Sequence, residues 1–149
     1  ELGLNSEKIG ICGFSAGGYL SISCSLPPTP ETSETSENNI DSAPNFVGLF
    51  YPGIPEDARE TLELLASSEE NPLESRPFFI VNARNDEITP VDKCLEFYIA
   101  LLNAEANAEL HVYNRGGHGF SLGVERGEST AMWPHGFVSW LKDCNIIEN

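Results

Sequence analysis

Four short apolar runs punctuate the chain, at residues 8–12, 46–51, 77–83 and 109–113. The first stops at Gly13, the second at Pro52-Gly53 and the third at Asn85-Asp86, while the fourth runs into Asn114-Arg115-Gly116-Gly117. Runs bounded in this way are predicted strands. Val47-Gly48-Leu49-Phe50 and Phe78-Phe79-Ile80-Val81 show no apolar/polar alternation, which suits strands buried on both faces in a parallel sheet covered by helices.

Between the strands the period lengthens to that of a helix. Residues 16–26 form a predicted helix stopped by Pro27-Pro28, and 55–66 form another, with Leu62, Leu65 and Ala66 on one side. A third follows Thr89, which reads as an N-cap with Pro90 at the first helical position and Asp92 as a capping acid. Its apolar residues Val91, Cys94, Leu95, Tyr98, Ile99 and Leu102 recur at helical spacing. The last helix is placed at 134–143, where Trp133, Phe137, Trp140 and Leu141 stand at i, i+4, i+7 and i+8. Pro134 is put at its start because a proline inside a helix is costly. The order β-α-β-α-β-α-β-α predicts an α/β layer architecture, a parallel sheet with flanking helices and right-handed crossovers. Residues 27–44, which contain Thr29-Pro30-Glu31-Thr32-Ser33-Glu34, have no apolar period and are expected to be a mobile acidic surface loop.

With 149 residues, 40% of them hydrophobic, the chain has material for one core, and residues 1–149 are read as one domain. Its 23 acidic and 8 basic residues give a net charge of −15. From Glu31 to Glu74 there are 11 acidic residues and one Arg, so this stretch alone supplies −10 and reads as a solvated surface. Such a charge repels phosphate backbones and anionic membranes, which argues against a nucleic-acid partner. No apolar run approaches the roughly 18 residues of a membrane span. Glu1-Leu2-Gly3-Leu4 lacks the basic start of a signal peptide. Cys12, Cys24, Cys94 and Cys144 form no Cys-x-x-Cys pair, which suggests neither zinc nor a redox motif and fits a reducing, cytoplasmic compartment. The chain begins without Met, so an upstream segment is expected.

The chemistry concentrates at three turns. Ser15 lies in Gly13-Phe14-Ser15-Ala16-Gly17-Gly18, between a predicted strand and a predicted helix. A Gly-x-Ser-x-Gly turn in that context strains the serine and exposes its hydroxyl, with small residues at 13 and 17 expected to let other backbone approach. Chance alone produces this pattern in about one chain in twenty of this length, so the strand-to-helix setting carries the argument. A serine hydroxyl needs a base within hydrogen-bond reach, and that base needs a carboxylate to fix its tautomer. In a parallel α/β sheet such groups sit at the carboxyl ends of strands. Asp86 follows the third strand within three residues, and His118 follows the fourth in Gly116-Gly117-His118-Gly119-Phe120. The order Ser, Asp, His is the one this architecture requires. Ala16, first in the following helix, would direct its N–H at a developing oxyanion. His111 falls within a strand, His135 in the first turn of the last helix, and Glu87 beside Asp86. His111 reads as a partly exposed strand residue and His135 as a surface residue, while Glu87 is the neighbouring carboxylate that competes with Asp86 for the role of the acid.

These residues resemble the α/β-hydrolase superfamily, within it the esterase/lipase group related to hormone-sensitive lipase and to bacterial carbohydrate esterases. The resemblance rests on Lys8-Ile9-Gly10-Ile11-Cys12-Gly13-Phe14-Ser15-Ala16-Gly17-Gly18, Tyr51-Pro52-Gly53, Asn85-Asp86-Glu87-Ile88-Thr89-Pro90 and Gly116-Gly117-His118-Gly119-Phe120. The Ser-Ala-Gly-Gly run, Trp133-Pro134 and Trp140-Leu141 resemble the acetyl-xylan and feruloyl esterase-like branch. The resemblance implies a three-layer α/β/α fold and hydrolysis of small or carbohydrate-linked acyl esters through an acyl-enzyme, without metal or organic cofactor. It also implies a His-Gly-Gly segment ahead of the nucleophile as the second oxyanion donor. Here the His-Gly pairs at 118 and 135 follow Ser15, so the chain reads as the C-terminal half of such a fold. Two other functions share these residues: a serine peptidase of the prolyl-oligopeptidase type, which more often has a bulky residue at the position of Ala16, and a non-catalytic hydrolase-like binding module.

Overall fold

A computed structural model describes residues 3–27, 43–68 and 71–148. Most of the predicted acidic loop, residues 28–42, lies outside the described residues. In chain order the elements are β1 (Ile11–Phe14), α1 (Ala16–Ser25), β2 (Val47–Phe50), α2 (Ala58–Leu65), β3 (Phe78–Ala83), α3 (Val91–Asn103), β4 (Ala108–Tyr113) and α4 (Trp133–Asp143). The strands lie side by side in the order β1-β2-β3-β4, all parallel, with Val47 opposite both Ile11 and Phe78, and Phe78 opposite Ala108. Each helix crossover therefore advances the sheet by one strand.

Side chains alternate across the pleat, so the continuous apolar strands feed two cores. Val47, Leu49, Phe78 and Ile80 pack with Ile22 of α1, Ala58 and Leu62 of α2, and Phe97 and Leu101 of α3. Phe50, Phe79 and Val81 pack on the other face with Trp133 and Trp140 of α4 and with Phe120. This is a three-layer α/β/α arrangement, and β2 and β3 are buried at every position because both faces are covered. β1 and β4 are the sheet edges among the described residues, and Ile9 just before β1 and Phe14 at its end are more than two-fifths exposed.

Several boundaries differ from the sequence reading. β1 begins at Ile11 rather than Lys8, because residues 6–8 form a single 3-10 turn with Asn5 accepting the Glu7 N–H. It therefore includes Gly13 and Phe14 of the serine motif. α2 is shorter than 55–66 and buries Ala58, Thr61 and Leu62, leaving Ala66 exposed. α4 starts one residue early, at Trp133, with Pro134 still in the first turn, where its missing N–H costs nothing. The apolar residues of α3 divide: Cys94, Phe97 and Leu101 face the sheet, whereas Leu95, Ile99 and Leu102 are exposed. Periodicity marked the helix but not which of two apolar stripes meets the core.

The glycines of the serine motif are also redistributed. A Cβ on Gly13 would overlap the carbonyl of Gly17, and one on Gly18 would stand 2.5 Å from Pro52 Cβ, while nothing lies within 4 Å of the Cβ position of Gly17. Gly13 and Gly18, not Gly17, let α1 lie against the ends of β1 and β2. Gly13→Ala is expected to destabilise the fold by about 1–3 kcal/mol, the usual cost of overpacking, whereas Gly17→Ala, with open space at its Cβ position and a helix propensity that favours alanine, is expected to be neutral or to stabilise by up to about 1 kcal/mol. Urea denaturation of the two variants checks the contrast.

Candidate active site

β1 runs into α1 through Ser15, whose backbone is at φ 53°, ψ −117°. For a residue with a Cβ this region costs on the order of 1–3 kcal/mol and is held only by its surroundings. The Ser15 N–H donates to the Phe50 carbonyl at 3.1 Å, and its carbonyl accepts from the N–H groups of Tyr19 and Gly53. Ser15 occupies the N-cap position of α1 without capping it. Its hydroxyl instead lies 2.8 Å from His118 Nε2.

His118 arrives from the loop after β4. Gly117 N–H donates to Asn85 Oδ1 at 2.9 Å, which ties that loop to the one after β3. The imidazole packs edge-on against Tyr51, ring centroids 5.2 Å apart, and Tyr51 rests on Phe120 at 4.6 Å. His118 Nδ1 is 3.1 Å and 3.0 Å from the two carboxylate oxygens of Asp86. An ionised carboxylate only accepts, so the Nδ1 proton belongs between His118 and Asp86, and Nε2 is left to accept from Ser15.

Asp86 is buried and fully partnered. Oδ1 accepts the N–H groups of Ile88 and Thr89, both at 2.9 Å, and Oδ2 accepts the Thr89 hydroxyl at 2.9 Å. Burial alone would raise its pKa. The bonds from Thr89 N–H, His118, Ile88 N–H and the Thr89 hydroxyl outweigh burial and hold the carboxyl below its ordinary value of 3.8. The site thus keeps a fixed negative charge behind the imidazole.

Ser15, Asp86 and His118 are therefore brought together at the carboxyl end of the sheet, with Ala16 as the first residue of α1. A first-turn N–H has no partner within its helix. The other histidines stand apart: His111 lies tilted against Phe79, ring centroids 5.0 Å apart, and meets Glu109 at 2.5 Å, and His135 is exposed on α4. Glu87 is exposed. Two readings need correction. Thr89 does not cap α3, whose cap position is Pro90 with no side-chain bond, because its hydroxyl is turned to Asp86. Asp92 likewise makes no capping bond and stands in the first turn, where its charge meets the helix dipole. Sequence reasoning passed over Thr89, Asn85 and Asn82 as parts of the site, although an Asp followed two and three residues later by the N–H groups it accepts is a recognisable turn.

Among the described residues no group of three or more His, Cys, Asp and Glu could hold a metal ion. No helix there is long and apolar enough to cross a membrane. A cavity of about 820 Å³ lined by Ile9, Cys24, Pro44 and Arg76 contains none of the three residues, lying near the start of β1 instead.

The sequence pattern of the dienelactone hydrolase family matches residues 2–132. The chain belongs to the dienelactone hydrolase family. It is 31% identical over 142 residues to an acetylxylan esterase of Xylanibacter ruminicola, covering 81% of this chain and 28% of that protein. The fold of this family member is that of solved α/β-hydrolases. A carboxylesterase of Lactobacillus plantarum superposes with a TM-score of 0.76 at 21% identity, covering 98% of this chain and 62% of the other. An acetyl ester-xyloside bifunctional hydrolase of Caldicellulosiruptor lactoaceticus gives 0.71 at 23% identity, covering 97% and 60%. The chain thus spans about a quarter of the esterase and three-fifths of these structures.

Proposed function

We propose that this chain carries the reacting side chains of a carboxylic ester hydrolase that works through an acyl-enzyme. The observation that carries the reading is the 2.8 Å approach of the strained Ser15 hydroxyl to an imidazole whose other nitrogen is held by a buried carboxylate. As the Ser15 oxygen attacks the ester carbonyl, its proton passes to His118 Nε2. Asp86 stabilises the imidazolium without taking the proton. The carbonyl oxygen becomes an oxyanion facing the Ala16 N–H and the positive end of α1. Collapse of this intermediate breaks the bond to the alcohol, which leaves with the proton from His118. Water, deprotonated by the same nitrogen, then releases the acid and restores Ser15.

The sequence likeness to an acetylxylan esterase supports small or carbohydrate-linked acyl esters as substrates. A net charge of −15 favours neutral substrates over nucleic acid. The test is turnover of nitrophenyl acetate beside a proline-linked anilide, with labelling by a fluorophosphonate. Hydrolysis of the acetate, none of the anilide, and labelling lost in Ser15→Ala are expected. Preference for the anilide would establish a peptidase, and no labelling a binding module.

A further inference from the structure

The proposed reaction uses three side chains, yet a fourth polar group lies within hydrogen-bond distance of two of them. Thr89 Oγ1 is 2.9 Å from Asp86 Oδ2, 3.2 Å from His118 Nδ1 and 3.1 Å from the Tyr51 carbonyl. The hydroxyl has one proton to give and lone pairs to receive. A carboxylate is a stronger acceptor than a carbonyl, so the proton goes to Asp86. The oxygen lone pairs then face the Nδ1–H of His118, which is shared between Asp86 and Thr89.

Thr89 is itself held from below. Its carbonyl accepts from Nδ2 of Asn82, a fully buried residue of β3, at 2.9 Å. The same Nδ2 lies 3.1 Å from Cys94 Sγ, and the Asn82 Oδ1 accepts the Ala83 N–H. A buried amide with both ends engaged has little freedom, so it fixes the Thr89 backbone relative to the end of β3. Position and hydroxyl are thus specified together.

We infer that Thr89 is a positioning residue that, through its hydroxyl, locks the Asp86 carboxylate and offers His118 Nδ1 a second acceptor. This rests on the ester hydrolase reading. Its role differs from helix capping or packing, and two nearly isosteric substitutions separate these. Thr89→Val keeps the methyl and the shape but loses the hydroxyl. Thr89→Ser keeps the hydroxyl and loses the methyl.

With nitrophenyl acetate, Thr89→Val should lower kcat about 10- to 100-fold, the loss expected for one hydrogen bond to a charged group, with KM little changed. Thr89→Ser should stay within about threefold of the parent. The low-field Nδ1–H proton resonance of His118 should persist in Thr89→Ser and broaden or vanish in Thr89→Val, a readout that needs no turnover. Thr89→Ala, a second hydroxyl deletion without the extra methyl beside the Tyr51 carbonyl, should behave as Thr89→Val, and circular dichroism confirms that each is folded. Full activity in Thr89→Val, or equal losses in the serine and valine forms, overturns the role of the hydroxyl. Ser15→Ala separates the two levels: if the parent is labelled by fluorophosphonate and Ser15→Ala is not, a silent Thr89→Val sinks this inference alone, whereas an unlabelled parent sinks both.

Discussion

Ser15→Ala and His118→Ala are each expected to lower kcat on nitrophenyl acetate by roughly 10⁴- to 10⁶-fold, and the double mutant to fall little further. The reason is geometric. At neutral pH a serine hydroxyl is a weak nucleophile, and in the proposed mechanism His118 Nε2, 2.8 Å away, removes the Ser15 proton as attack occurs. Without the base the hydroxyl has no acceptor of suitable basicity, and without the hydroxyl the base has nothing to activate. Either deletion removes the whole advantage of the pair. Losses that multiply would mean that the two residues act separately, and the proposed mechanism would fall. Neither change should unfold the protein: the Ser15 backbone is held by bonds to Phe50, Tyr19 and Gly53, none of which uses its side chain.

Asp86→Asn should cost about 10⁴-fold in kcat. Oδ1 must remain an oxygen, since it accepts two backbone N–H groups. The asparagine nitrogen is then forced into the place of Oδ2, 3.0 Å from His118 Nδ1 and 2.9 Å from the Thr89 hydroxyl. A donor facing Nδ1 selects the tautomer with its proton on Nε2, which points at Ser15 and removes the base. The same variant should alter acid unfolding. Because folding lowers the Asp86 pKa below 3.8, its carboxylate stabilises the fold above that pH, and the contribution is lost as pH falls through the lower folded value. Asp86→Asn lacks that acid-dependent loss, so its stability should vary less with pH below about 4 than that of the parent. Unaltered kcat in a folded Asp86→Asn protein would remove Asp86 from the mechanism.

The pattern of apolar runs and turns was enough to order the elements, because a doubly covered parallel sheet leaves a local mark: Val47 to Phe50 and Phe78 to Ala83 are buried at every position and unbroken by charge. The candidate residues were legible for a related reason. Ser15, Asp86 and His118 each follow a strand, and the parallel topology gathers the strand ends at one rim. What the sequence could not decide depends on neighbours distant in the chain. Thr89 has the composition of a helix cap, and although Asp86 is only three residues away, it is His118 and the Tyr51 carbonyl, far off in the chain, that place its hydroxyl in the site. Gly17 fits the serine motif, yet Gly18 is the glycine crowded by Pro52, a contact made by the crossover from β2. The two apolar stripes of α3 are equally periodic, and the sheet buries one of them. Local pattern determined the elements and their order and marked the candidate residues; which side chain meets which was decided only when the sheet closed distances between segments far apart in sequence.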